Sequence, residues 1–170
     1  MKTPNSERVH IGFYGRCNSG KSSLINALVG QSVSIVSDIA GTTTDPVKKA
    51  MELPGLGAVL LIDTPGLDDK SQLGDQRIKS ATDTLSSVDI AILILSGDDS
   101  SLEEQFYNEL KRRDIKTLVV RNKSDLGQSV ASIEGVEPIS VSALRGEGIA
   151  SLRSELAKLS SDEERLLTDW

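Results

Sequence analysis

The chain of 170 residues has one cysteine and one histidine, and its aromatic residues make up only 3% of the sequence. A lone thiol, Cys17, cannot close an internal disulfide, and with His10 as the single imidazole the chain cannot by itself complete a closed zinc site or hold an iron–sulfur cluster. Metal chemistry within it must use oxygen ligands. No long apolar run is present: stretches such as AILIL at 91–95 fall far short of a membrane span, and the N-terminal MKTPNSERVHIGF has no apolar signal-like region. A soluble protein of the cytoplasm is the expectation. Basic residues are outnumbered, 19 against 25 acidic ones, for a net charge of −6. Phosphate-backbone binding calls for a basic face, so nucleic acid and membrane surfaces are poor first guesses as partners.

What is present is one domain's worth of chain, long enough to bury roughly 70% of its unfolded surface without staples. Val9, Ile11 and Phe13 alternate as in a strand, a Gly-rich turn follows, and Leu24, Ile25, Ala27 and Leu28 of KSSLINALV share one helical face. The Ser-, Gly- and Thr-rich stretch 31–45 reads as a loop. VKKAMEL and AVLLID, joined by LPGLG, read as a hairpin. Ile78, Ala81 and Leu85 have helix spacing, and VDIAILIL is the unbroken apolar run of a strand buried on both faces. Leu102, Phe106 and Leu110 predict a helix with Glu103, Glu104, Lys111 and Arg112 outward. TLVVRN, the segment IEGVEPISVSA and the stripe Ile149, Leu152, Leu156 and Leu159 complete the pattern. Alternating strands and helices with one hairpin predict an α/β fold: a doubly wound, six-stranded, mostly parallel sheet with one antiparallel strand and helices on both faces. Residues 1–7 are expected to be a disordered tail, 8–160 the domain, and 161–170 a linker or the start of a further domain. There Ser161 and Glu164 form a potential capping box.

Gly15-Arg16-Cys17-Asn18-Ser19-Gly20-Lys21-Ser22 fits G-x-x-x-x-G-K-[ST] between a strand and a helix. Its glycines let backbone N–H groups converge on phosphates at a helix N-terminus, Lys21 can reach the β and γ oxygens, and the Ser22 hydroxyl can bind Mg²⁺. Asp63-Thr64-Pro65-Gly66 puts a carboxylate for a Mg²⁺-bound water at a strand end, and a glycine whose N–H can approach a γ-phosphate. Asn122-Lys123-Ser124-Asp125 ends TLVVRN. A carboxylate at Asp125 can accept hydrogen bonds from the guanine ring N–H and exocyclic amine, a donor pair that adenine lacks. Ser142-Ala143-Leu144 follows another strand and can lend a backbone N–H to the guanine carbonyl. In Gly41-Thr42-Thr43-Thr44-Asp45 a threonine hydroxyl can close over Mg²⁺, though three threonines leave the choice open. These elements together, each at a strand end or in a loop, point to a GTP-binding switch domain.

With these residues in hand, the chain resembles GTPases of the TrmE–Era–EngA group, and more narrowly the GTPase domain of HydF-type proteins of FeFe-hydrogenase maturation. The narrower resemblance rests on HIGFYGRCNSGKSSLINAL, VSIVSDIAGTTTDPVKKAMEL and LIDTPGLDD followed by LGDQR, and it spans essentially residues 6–160. It implies a GTP-hydrolysing enzyme in which Gly15, Asn18, Ser19, Gly20, Lys21, Ser22 and Ser23 hold the phosphates. Asn122, Lys123, Asp125, Ser142, Ala143 and Leu144 would then hold the base, and Ser22, Thr43 and Asp63 would hold Mg²⁺. Asn18 matches the asparagine that coordinates K⁺ in potassium-activated relatives. Lys21, Thr43 and Gly66 would serve the reaction, together with Asp75, which stands where TrmE-like relatives have a water-orienting glutamate but is equally suited to cap a helix. Leu67 replaces the water-orienting glutamine of Ras-like GTPases, so hydrolysis is expected to be slow, nearer the unassisted Ras scale of about 10⁻⁴ to 10⁻³ s⁻¹. Thr44 departs from the arginine common at that spot in TrmE and EngA. Implied partners are a dimerisation domain and a cluster-binding domain beyond this segment, hydrogenase maturation enzymes and the hydrogenase, and a second copy of the chain. An Era- or EngA-like ribosome-assembly role and a nucleotide-binding module with negligible hydrolysis are the alternatives. The Asp68-Asp69 pair reads as a solvated loop tip, Cys17 as a small filler and His10 as a strand residue.

Overall fold

The computed structural model describes residues 8–17, 19–30, 34–39, 47–68, 79, 81–97, 99–122, 132–143 and 145–168. Strand β1 (Val9–Tyr14) leads through a Gly-rich turn into helix α1 (Lys21–Val29). Strands β2 (Ser34–Ile39), β3 (Val47–Leu53) and β4 (Gly57–Asp63) follow, then a 3₁₀ turn (Thr84–Ser87) and β5 (Ile90–Leu95). Helix α2 (Ser101–Arg112), β6 (Lys116–Asn122), β7 (Ile139–Val141) and helix α3 (Ile149–Thr168) complete the chain. One sheet takes all the strands in the order β2-β3-β4-β1-β5-β6-β7. Strand β3 pairs antiparallel with both of its neighbours, and the contacts from β4 through β7 are all parallel. The expected mostly parallel sheet with one antiparallel member is therefore present, with a seventh strand, β2, inside the stretch read as a loop. Its position at the sheet edge explains the miss: an edge strand needs no two-sided apolar run, and SIVSDI reads as polar turn material.

Strand β5 shows why the centre is parallel. Ile90, Ile92 and Ile94 pack into one core with Phe13, Leu24, Leu28, Leu152 and Leu156, beneath α1 and α3. Ala91, Leu93 and Leu95 face the opposite core with Phe106 and Leu110 of α2. Each buried Ile or Leu contributes roughly 1.5–3 kcal/mol relative to exposure, and period-two alternation sends successive side chains to opposite layers. Tyr14 joins the second layer, its ring centroid 4.8 Å from that of Phe106. Burial pushes the Tyr14 phenol up to about 12, against the pull of its hydrogen bond with Thr84.

Three expectations change. Glu103 is fully buried rather than outward, because Glu103, Phe106 and Leu110 share the inward stripe of α2. Helix α3 runs without a break through residue 160, so Ser161 lies inside a helix and does not begin one. Of the helix expected from Ile78, the described part is helical at residues 79 and 81–83 and tightens into the 3₁₀ turn. Because β4 and β5 flank β1 on opposite sides, the carboxyl ends of these three strands form the point where the chain winds off in both directions. Open α/β sheets bind ligands at such points.

Candidate functional site

The turn after β1 is shaped by two constraints. Ser19 N–H returns to the Arg16 carbonyl at 3.1 Å, and Gly20 adopts φ 84°, a left-handed conformation that suits glycine. A Cβ on Gly20 would stand 1.9 Å from Asn122 Nδ2, so any other residue would strain the left-handed backbone and displace that amide. Helix α1 then begins with Leu24 N–H on the Gly20 carbonyl, and no side chain caps the first turn, which also carries no acidic residue. The opening N–H groups of Lys21, Ser22 and Ser23 therefore lack helical acceptors, which is the electrostatic condition for binding an anion. The buried Ser19 Oγ has no hydrogen-bond partner among the described residues. Ser22 and Ser23 are exposed on the first turn. An uncapped helix start, a glycine cradle and an orphaned hydroxyl together fit a polyphosphate.

Strand β4 delivers the second set of groups. Lys21 Nζ donates to Asp63 Oδ1 at 2.7 Å and to the Thr64 carbonyl at 2.6 Å, and the Thr64 hydroxyl donates to the Phe13 carbonyl at 2.5 Å. The lysine and carboxylate assigned to phosphate and Mg²⁺ are thus in contact, the one opening helix α1 and the other ending strand β4. Gly66 comes next and lies so close to the phosphate loop that a Cβ would be 2.9 Å from the Cys17 nitrogen. Leu67 N–H donates to the Gly15 carbonyl at 2.9 Å while its side chain is wholly buried with Tyr14, Leu85 and Phe106. The residue in place of the Ras glutamine is a core side chain and has no means of orienting water.

Asn122 ties the two halves of the site together. Its Nδ2 donates to the Ser19 carbonyl at 3.0 Å, and its Oδ1 accepts Ala143 N–H at 3.4 Å. The amide therefore links the phosphate loop to the Ser142-Ala143 corner. That corner is held in turn by Ser142 N–H on the Glu147 carbonyl and Arg145 N–H on Ser142 Oγ. Asn18, Thr43 with its neighbours Thr42 and Thr44, Asp75, Lys123, Asp125 and Leu144 lie outside the described residues.

Three residues with no assigned role prove to be built into the loop. Arg16 Nε donates to Glu103 Oε1 at 2.7 Å, and its Nη2 lies 3.4 Å from Asp99. Burial pushes the Glu103 carboxyl up from its usual range, against the pull of Arg16. Burial pulls the Arg16 guanidinium down, but Glu103 with Asp99 and Asp68 outweigh it and leave it raised. Asp68 is no solvated tip: its Oδ1 accepts Cys17 N–H at 2.7 Å. Burial raises the Asp68 carboxyl, and the Cys17 bond and Arg16 charge reverse this to leave it lowered. The signal for Glu103 was its place three and seven residues before Phe106 and Leu110; nothing local announced Arg16 or Asp68. His10 belongs to the far end of β1, where Nδ1 meets the Ser87 carbonyl and its backbone N–H donates to Asp89. Among the described residues no cluster of His, Cys, Asp or Glu could hold a metal ion alone, and no helix is long and apolar enough to cross a membrane.

Comparison with known proteins agrees with this geometry. The pattern of the family described as 50S ribosome-binding GTPase matches residues 10–123. The tRNA modification GTPase MnmE of Aquifex aeolicus is 34% identical over 89% of this chain and 34% of its own length. That of Paramagnetospirillum magneticum is 36% identical over 91% of this chain and 36% of its own. The chain thus spans about a third of these relatives. Among solved structures, Era in complex with MgGDPNP and a segment of 16S ribosomal RNA superposes with a TM-score of 0.64 at 27% identity, covering 89% of this chain and 56% of that one. The G domain of the T. maritima FeoB iron transporter, at 23% identity and a TM-score of 0.61, covers 91% and 99% and supports the fold alone.

Proposed function

This chain belongs to the 50S ribosome-binding GTPase family, and we propose that it is a slow, potassium-stimulated GTP-hydrolysing switch in a HydF-like scaffold or carrier protein for hydrogenase maturation. The observation that carries the GTPase reading is the meeting of Lys21, Asp63 and Asn122 around one uncapped helix N-terminus. In this reading Lys21 leaves Asp63 for the β and γ oxygens of GTP. Ser22, Asp63 and Thr43 would hold Mg²⁺, which would supply charge neutralisation at the transferring phosphoryl group. The N–H groups opening α1 orient the phosphates, and Asp125 selects guanine. Asn18 would offer an amide oxygen to K⁺, whose charge would offset the missing glutamine at the buried Leu67. The HydF context is supported by the three quoted segments of sequence. The identity to MnmE relatives favours a second reading, in which the same switch serves a tRNA-modifying protein; the acidic charge of −6 argues that tRNA would be held by other domains.

The test is steady-state GTP hydrolysis with Mg²⁺ in matched KCl and NaCl, with Asn18→Ala and Lys21→Ala beside the unsubstituted chain. Faster turnover in KCl that disappears in Asn18→Ala supports the proposal. Tight GTP binding with negligible turnover in both salts replaces it with a binding switch.

A further inference from the structure

Asp68 makes a contact that the proposed hydrolytic site does not use. Its carboxylate accepts Cys17 N–H at 2.7 Å, so an acidic side chain occupies a backbone donor of the loop that otherwise offers such donors to phosphate. The approach is fixed from both sides. Leu67 N–H is bonded to Gly15 and its side chain is sealed in the core, and Gly66 lies against Cys17 with no room for a Cβ. Arg16 supplies a compensating charge nearby while held by the buried Glu103. The end of the loop nearest Gly66 is the end that a terminal phosphate must enter, with Lys21 reaching the β and γ oxygens from the other side and the start of α1 serving the inner phosphates.

We propose that Asp68 is a specificity-determining residue that sets the balance between guanosine triphosphate and diphosphate. Its carboxylate holds the Cys17 N–H and puts a negative charge where the terminal phosphate arrives. The diphosphate binds with that contact intact, and the triphosphate binds only by displacing it. Loading the triphosphate is thereby coupled to release of the Asp68 carboxylate from the phosphate loop. The inference rests on the GTP-binding reading and adds to it a residue outside the sequence motifs.

The test is equilibrium binding of GTPγS and of GDP, with Mg²⁺, to the 170-residue chain and to Asp68→Asn, Asp68→Ala and Asp68→Glu. Removing the charge is expected to tighten GTPγS on the order of tenfold, the scale of one charge-assisted hydrogen bond, with little change for GDP. Asp68→Glu, which keeps the charge, is expected to stay nearer the original ratio than either neutral variant. An unchanged ratio in both neutral variants, including equal weakening of both nucleotides, overturns the proposal. So does a selective loss of GTPγS, which would make Asp68 a support of the triphosphate state. Failure of the unsubstituted chain to bind either nucleotide would overturn the GTP-binding reading itself, and this inference with it.

Discussion

At one end of the phosphate loop Lys21 Nζ lies 2.7 Å from Asp63, and at the other Arg16 Nε lies 2.7 Å from Glu103. The distances match, but the surroundings do not. Lys21 and Asp63 keep side-chain exposures of 10% and 28%, and the lysine is shared with a backbone carbonyl, so either partner can exchange the other for phosphate, Mg²⁺ or water. Glu103 has none of its side chain exposed, and its second oxygen has no partner among the described residues, so it has nothing to exchange Arg16 for. One pair joins the two groups to which the proposed function gives phosphate and Mg²⁺. The other is a fixed brace between the loop and helix α2. A cation–carboxylate distance alone would not have separated them; the carboxylate's access to water, 28% exposed in Asp63 against none in Glu103, does.

Replacing each cation or carboxylate should pull the two pairs further apart. The largest effect is expected for Lys21→Ala in a phosphate-release assay, where turnover should fall by about 10²- to 10³-fold with thermal stability nearly unchanged, because Asp63 regains water. Glu103→Ala should do the reverse. It should cost about 2–3 kcal/mol in urea unfolding, below the full value for a buried pair because Arg16 keeps 22% exposure. A loss well under about 1 kcal/mol would reduce the brace to a surface pair. Asn122→Ala, which removes bonds to Ser19 and Ala143, should cost about 1–2 kcal/mol and weaken GTP and GDP alike, as titration would show.

The smallest effect is a pH dependence. Burial raises the Glu103 carboxyl in the folded state above its usual 4.5, so its protonated form favours folding. Stability relative to a Glu103→Gln variant should therefore be greatest in acid, decline as pH rises from about 4.5 through the raised value, and then stay flat. Chemical unfolding of both proteins across that range would show it. A difference that grows with pH would contradict the buried environment assigned to Glu103.

The contrast also explains what was legible in the sequence. Lys21, Asp63 and Asn122 could be placed in advance because phosphate and strand geometry demand particular residue types at particular spacings, and the sheet brings these strand ends together. Strand β5 was equally plain, since only burial on both faces explains IAILIL. Glu103 was misread because a charge on a helix is usually solvated, and its partner Arg16 lies 87 residues away at a position that the phosphate-loop pattern leaves free. Leu67 announced the missing glutamine but not its own burial, which depends on Tyr14, Leu85 and Phe106. Strand β2 escaped because its pairing with β3, and not its own apolar content, makes it a strand.

The most direct measurement is a competition titration of GTP, GDP and ATP, each with Mg²⁺, against the unsubstituted chain and Lys21→Ala. The account predicts binding of both guanine nucleotides, ATP weaker by at least about a hundredfold, and loss of GTP binding in Lys21→Ala. Equal binding of ATP and GTP, or unaltered GTP binding by Lys21→Ala, would contradict it.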